Sequence, residues 1–417
     1  MADWAKEELD GKPWFDNDRF WASPHNYSPT ITAKLPKKIY FHDVTLRDGE
    51  QTPGVVFTAD ERVVIAEALD ELGVQRIEAG MPIVSKDIAA GIKRLVNMNL
   101  RSEVVAFARA HKDDINASLD CGVRAIVVEH TVNPYLCRWG YDLTEEKVIE
   151  RLVSSVVMAK ENGLHTTFMG WDFFRAPLDF SKRVYKAVVE HAKPDALTLV
   201  DTLGVATPAA VQETFEDFRR MFPDVKLEFH VHNDFGMAVG AVLGAVLGGA
   251  DGVHTAVNGI GERTGNVATE EVAMALECLW GIDTGLDLSK IMYVSRTVET
   301  ISKFALAKNK PIVGRHLFDV ESGVVTHVIA EMNKKGFKPV MTPFTADVVG
   351  QEPVRFVLGK GSGRVTILQY LKRHNIDATD EQVDRIVEDV KSAGRVMKSL
   401  LSEEDFLRIV KRVVGDR

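Results

Sequence analysis

From residue 38 to about 280, short β-rich apolar runs alternate with longer helical patterns, the arrangement of parallel strands joined by crossover helices. Eight strand candidates occur, at 38–44, 75–79, 103–109, 124–130, 165–171, 196–202, 226–232 and 252–258. Helical patterns lie between them, near 85–98, 144–162, 178–192, 207–221, 236–249 and 267–280. Another spans 58–73, where Thr58 and Glu61 form a T-x-x-E capping box and Gly73 supplies a C-terminal stop. Eight strand–helix repeats in this length predict a closed (β/α)8 TIM barrel, and no GxGxxG follows the first strand to support an open dinucleotide-binding sheet.

The remainder is organised around that barrel. Residues 1–37 carry four prolines and little periodicity and read as an N-terminal arm; 38–285 is the barrel; 286–363 reads as a helical linker subdomain and 364–417 as a C-terminal helical subdomain. Helices are expected near 289–309, 364–374 and 379–413. Sixty acidic against 51 basic residues give a net charge of −9, which argues against nucleic acid as a partner. The uncharged stretch 235–250 falls short of the roughly 20 apolar residues of a membrane span and reads as a buried helix. Three cysteines, Cys121, Cys137 and Cys278, have no metal or disulfide spacing; with no apolar leader visible, a cytoplasmic location is expected.

Active sites of such barrels lie at the C-terminal ends of the strands. There the sequence places Arg47 and Asp48 after strand one, Glu78 in strand two, His130 in strand four, Asp201 and Thr202 in strand six, His230 and His232 in strand seven and Asn258 at the end of strand eight. Residues two apart share a face of a strand, so His230 and His232 can present both imidazoles to one point, with Asp48 adding an oxygen ligand. Two satisfied core histidines are the competing reading of HxH taken alone. An oxygen substrate on a cation beside the Arg47 guanidinium is an arrangement for polarising a carbonyl. The glycine-rich stretch 258–266 reads either as an anion-approaching loop or as a tight turn, while 358–364 lacks the spacing of a P-loop.

The motifs DVTLRDGEQTPG (43–54), IEAGMP (77–82), LVDTLGVATP (199–208), FHVHNDFGMA (229–238) and NGIGERTGN (258–266) resemble the DRE-TIM metallolyase superfamily. They are most similar to its Claisen-condensing branch of 2-isopropylmalate, homocitrate and citramalate synthases, and LFDVESG (317–323) and VLGKGSG (357–363) resemble the helical subdomains of those enzymes. The resemblance implies a divalent cation (Mg, Mn, Zn or Co) on Asp48, His230 and His232, with Asn266 as a fourth ligand. It implies a 2-oxo acid contacted by Arg47, Gln51 and Thr202, an acyl-CoA co-substrate at a loop containing Asn258, Gly259, Gly261 and Glu262, and a homodimer. Three departures stand out. Trp171, Asp172 and Arg175 occupy the segment after strand five, with Trp171 at a glutamate position; Val325 stands at a histidine position with His327 two residues on; and His130 enters the segment after strand four. Arg47, Glu78, His130 and His327 are therefore the catalytic candidates, and Trp171, Asp172 and Arg175 candidates for substrate contact. The expected activity is a metal-dependent acyl-CoA:2-oxo acid C-acyltransferase of amino-acid biosynthesis with altered acid/base or pocket residues. A carbon–carbon lyase is the first alternative and a non-catalytic binding barrel the second.

Overall fold

A strand followed by a right-handed crossover returns parallel to itself, and eight such steps close a sheet into a barrel. The structure, a computed structural model, describes residues 8–415 in two compact units, one of residues 24–306 and one of residues 8–23 with 307–415. In the first, β1 (Tyr40–Asp43), β2 (Arg76–Gly80), β3 (Glu103–Arg109), β4 (Ala125–Thr131), β5 (His165–Trp171), β6 (Ala196–Asp201), β7 (Lys226–Val231) and β8 (Gly252–Thr255) are parallel neighbours in chain order. Pairing of Gly252 with Tyr40 through Thr255 with Asp43 closes the (β/α)8 barrel that the alternation predicts.

After a single helical turn at Pro29–Thr32, the helices that follow β1 are α1 (Ala59–Leu72), α2 (Lys86–Val96), α3 (Lys112–Asp120), α4 (Pro134–Tyr141), α5 (Glu145–Glu161), α6 (Leu178–Ala192), α7 (Pro208–Met221), α8 (Ala238–Leu247), α9 (Thr269–Met274) and α10 (Ile291–Ser302). The Thr58–Glu61 capping box opens α1, and Gly73 ends it at φ 97°, where a Cβ would meet the Gly285 carbonyl oxygen at 2.8 Å. Helix α8 is the apolar stretch expected to be buried; it packs on α7 so closely that a Cβ at Gly244 would lie 2.3 Å from the Pro208 carbonyl oxygen. No helix among the described residues is long and apolar enough to cross a membrane.

Alternate strand residues point into the lumen, and the lumen has two halves of opposite character. Val105, Phe107, Ala125, Val127, Met169 and Val200, on β3 to β6, form an apolar cluster. On β1, β2, β7 and β8 the inward positions are polar. His42 Nε2 donates to Glu78 Oε2 at 2.9 Å, His254 Nε2 donates to Glu228 Oε2 at 2.9 Å, and Arg76 reaches across from β2 to Glu228 at 3.0 Å. Buried polar groups of this density persist because they satisfy one another.

The second unit contains α11 (Gly323–Lys334), α12 (Arg364–Arg373), α13 (Asp380–Met397) and α14 (Glu403–Val414) around a core that includes Ile367, Ile386, Val390 and Phe406. The segment 8–23 joins it through Trp21 N–H to the Pro343 carbonyl and Thr345 N–H to the Arg19 carbonyl. The single helix expected over 379–413 is two: Lys398 turns left-handed at φ 51°, and a Ser402–Asp405 capping box restarts the chain.

Candidate active site

Asp48 sits at the turn after β1, His230 on β7 and His232 one residue beyond it, so the strand period of two aligns both imidazoles. Asp48 Oδ2 lies 3.2 Å from His230 Nε2 and 3.4 Å from His232 Nε2, and the two Nε2 atoms are 3.4 Å apart. That near-equilateral triangle fits donors sharing one cation, whose tetrahedral ligands at about 2.0–2.1 Å stand roughly 3.3 Å apart. All three side chains are buried. Burial opposes charge on Asp48, but the Arg47 guanidinium and the two imidazoles outweigh it and hold the carboxyl well below the usual range. Burial pushes His230 down to about 3, against the pull of Asp48. Carboxylate and neutral imidazole are the forms that ligate a metal.

Asn266, the fourth ligand that the resemblance implies, is tied to the end of the seventh strand. Its backbone bridges to His232, its Nδ2 donates to the Ile260 carbonyl at 2.9 Å, and its buried Oδ1 has no partner among the described residues. A Cβ at Gly261, whose φ is 153°, would strike Asn266 Nδ2 at 2.4 Å, so this loop position must be glycine for the asparagine to hold its place.

Arg47 is fixed from two sides. Its Nε donates to Glu78 Oε1, its Nη1 stands 3.5 Å from Asp48 Oδ2 and 3.4 Å from Gln51 Oε1, and its guanidinium stacks over Phe107 at 4.2 Å. Its buried Nη2 has no hydrogen-bond partner among the described residues. Burial works against the Glu78 charge, yet Arg47 and His42 keep that carboxyl far below the usual range. Glu78 is therefore an anchored anion.

The other sequence candidates are placed differently. His130 is carried on the outer face of β4, where its ring packs 5.3 Å from that of Tyr141 and its Nδ1 donates to the Thr131 carbonyl. The inward neighbour in that strand is Glu129, a carboxylate that the reading of the sequence passed over. Trp171 follows the lumen-facing Thr167 and Met169 in phase and reaches the mouth. Asp172, left-handed at φ 59°, is held by Arg175 Nε and Nη2 at 2.7 and 2.9 Å and by Asn133 Nδ2 at 2.8 Å, so Asp172 and Arg175 pair with each other. Thr202 Oγ1 accepts from Asp172 N–H at 2.9 Å. Asn258 turns its amide to the Ser295 carbonyl on α10; Gly261 N–H donates to Thr52 Oγ1 and Gly259 N–H to the Ala256 carbonyl. Arg263, beside Glu262, is held by Asp234 and the Thr202 carbonyl, which ties this loop to its neighbours. His327 is exposed on α11 of the second unit.

Residues 38–298 match the HMGL-like family. The chain belongs to that family. Homocitrate synthase AksA of Methanothermobacter thermautotrophicus is 36% identical over 95% of this chain and 99% of its own length. From Methanocaldococcus jannaschii, (R)-citramalate synthase CimA is 38% identical over 89% of this chain and 74% of its own, and 2-isopropylmalate synthase 36% identical over 91% and 73%. Among solved structures, a Bacillus subtilis HMG-CoA lyase shares the fold, with TM-score 0.59 and 22% identity over 65% of this chain and 96% of that one. With synthases matched along nearly its whole length, this HMGL-like chain is an acyltransferase of the alkylmalate and homocitrate synthase type, in the Claisen-condensing branch.

Proposed function

We propose that this barrel joins the methyl carbon of an acyl-CoA to the keto carbon of a 2-oxo acid, with a divalent cation held by Asp48, His230, His232 and Asn266. The observation that carries this reading is the triangle of donors at 3.2–3.4 Å with the free Nη2 of Arg47 beside it. A bound dication supplies Lewis-acid polarisation of the keto group, and the mixed imidazole and carboxylate set suits Mg, Mn, Zn or Co. Arg47 Nη2 is placed to donate to substrate oxygen and to hold charge that develops there, and Thr202 retains a hydroxyl hydrogen for the substrate carboxylate. Next to Arg47 lies a cavity of about 440 Å³ whose walls include Phe57, Met81, Val84, Ile88 and Phe107. Its apolar lining favours a small aliphatic side chain on the oxo acid. The cations around the mouth support the same choice: Arg62, Arg109, Arg175 and Arg263 are each paired with a carboxylate of the barrel, which leaves none of them for a second substrate carboxylate. A cytoplasmic homodimer with His327 as a further proton-transfer group completes the reading; sedimentation analysis and His327→Ala test those two elements.

The decisive assay strips the protein of metal, reloads it with each of the four cations, and follows thiol release from acetyl-CoA with pyruvate, 2-oxoisovalerate and 2-oxoglutarate. Thiol release that needs metal and is fastest with the monocarboxylic acids is expected. Absence of release with every oxo acid and every cation overturns the activity, and preference for 2-oxoglutarate overturns the aliphatic pocket.

A further inference from the structure

A condensation of this kind must remove a proton from the acyl methyl, and most carboxylates at the mouth are engaged elsewhere. Glu78 is bound by Arg47 and His42, Asp172 by Arg175 and Asn133, and Asp201 by the N–H groups of Val205 and Ala206. Asp48 faces both imidazoles. Glu129 differs from all of these. It lies at the C-terminal end of β4, in phase with the lumen-facing Ala125 and Val127, and is partly exposed where the barrel opens. Neither of its carboxylate oxygens takes a hydrogen bond among the described residues, while its backbone carbonyl accepts from Ala110 N–H.

Its surroundings suit a proton carrier. In register it faces Arg109 on β3 and Met169 on β5, and the Phe107 ring under Arg47 is paired with Val127, two residues earlier on the same face of β4. The charged and titratable groups that act on it are Arg47 from the β1 turn, Glu78 from β2, Arg109 from β3 and Tyr141 from α4. Arg109 is itself bound to Asp114 by two nitrogens. Burial therefore prevails and pushes the Glu129 carboxyl up to about 7, with Glu78 adding to the rise and the two arginines opposing it. A base poised near neutrality is matched to taking and returning a proton at that pH.

We propose that Glu129 is a catalytic residue, the general base that takes the methyl proton of the acyl-CoA. The proposal rests on the condensing reading above. In the step, a C–H bond of the thioester methyl breaks, its proton forms an O–H bond on Glu129, and the electron pair remains as the enolate. The enolate carbon then bonds to the keto carbon of the oxo acid as the keto π pair moves onto its oxygen, which takes the proton back to become a hydroxyl, and water then cleaves the thioester C–S bond to release the CoA thiol.

Glu129→Gln keeps the shape and removes the base; Glu129→Asp keeps the base and shortens its reach. With acetyl-CoA and the oxo acid the wild type prefers, Glu129→Gln is expected to lose roughly 10²–10⁴-fold in kcat with metal content and oxo-acid KM near wild type, and Glu129→Asp to recover part of that loss. The wild-type profile of kcat/KM against pH should rise through an acidic limb near 7, and the residual activity of Glu129→Gln should lack that limb. Exchange of acetyl-CoA methyl protons with D2O, followed by NMR, should fall with the variant in step with kcat. A Glu129→Gln protein within about threefold of wild type, or one that keeps the acidic limb, overturns the assignment. So does a loss that follows a drop in metal content. A wild type that releases no thiol under any condition instead removes the condensing reading itself, and this proposal with it.

Discussion

A guanidinium clamped between two carboxylates has its direction set, and at Arg47 that direction leaves Nη2 over. A lysine at this position offers one compact charge in place of a planar fork, so it cannot satisfy Glu78 and Asp48 and still present a donor to substrate. Arg47→Lys is expected to lower kcat by roughly 10²–10³-fold while elemental analysis finds the metal retained. Glu129 makes the opposite kind of prediction, one about stability. Its folded-state pKa of about 7 stands above the ordinary carboxyl value, so the folded protein binds the extra proton across that interval and loses stability as pH climbs from about 4.5 to 7. Glu129→Gln removes this loss. Urea denaturation at pH 8 should show the variant about 1–2 kcal/mol more stable than wild type, discounted for its partial exposure, with no gain at pH 4. The two histidines and Asp48 were legible in the sequence because a strand period of two and the position after β1 are enough to converge them. Glu129 was not, because the last polar residue of VVEH draws attention to His130, whereas Ala125 and Val127 set the inward phase one residue earlier. The union of Asp172 with Arg175 depends on a left-handed backbone at Asp172, a conformation the residue types permit but do not announce.

Whole elements are held in register at the mouth by a residue the sequence shows only as one charge in a helix. Arg62 of α1 is fully buried; its Nη1 donates to the Leu46 carbonyl at 2.8 Å and the Ala79 carbonyl at 3.0 Å, and its Nη2 donates to Glu50. These bonds join the turn that carries Arg47 and Asp48 to the end of β2, just beyond Glu78. Arg62→Leu would leave the Glu50 charge without its cation and two carbonyls without this donor, and a loss of about 3–5 kcal/mol in chemical denaturation is expected, together with weaker metal retention. Element types were readable along most of the chain because amphipathic period and capping boxes agree, as they do at α1. The helix expected over 379–413 failed at its middle because the apolar period runs on past Met397. The S-x-x-D box at Ser402, already present in the sequence, is the signal that divides it. Helix α11 has no separate expectation within the linker read over 286–363, because the stretch 311–363 is interrupted by seven glycines and four prolines and local propensity there is weak.

At the scale of the whole barrel, polar and apolar halves of the lumen divide the labour between chemistry and cohesion. The β3–β6 half buries aliphatic and aromatic side chains, while the β1, β2, β7 and β8 half carries a column that runs from Arg47 through Glu78, His42, His254 and Glu228 to Arg76. The donor triangle lies at the open end of the polar half, and its three donors come from two places distant in sequence, the β1 turn and the end of β7. In the unfolded chain these residues do not meet, so a cation that binds them binds the folded barrel alone and must stabilise it by mass action. At a free cation concentration of a hundred times Kd the gain is about 2.7 kcal/mol, which in a unit of this size is roughly 5 °C of Tm. Differential scanning calorimetry of chelator-treated protein, with and without each cation, should show that rise and its reversal by chelation. Asp48→Asn, which keeps the shape and removes the charged oxygen, should show neither. A Tm that no divalent cation moves in the wild type would mean that the triangle binds no cation tightly, and that His230 and His232 are two core histidines satisfied by Asp48 alone.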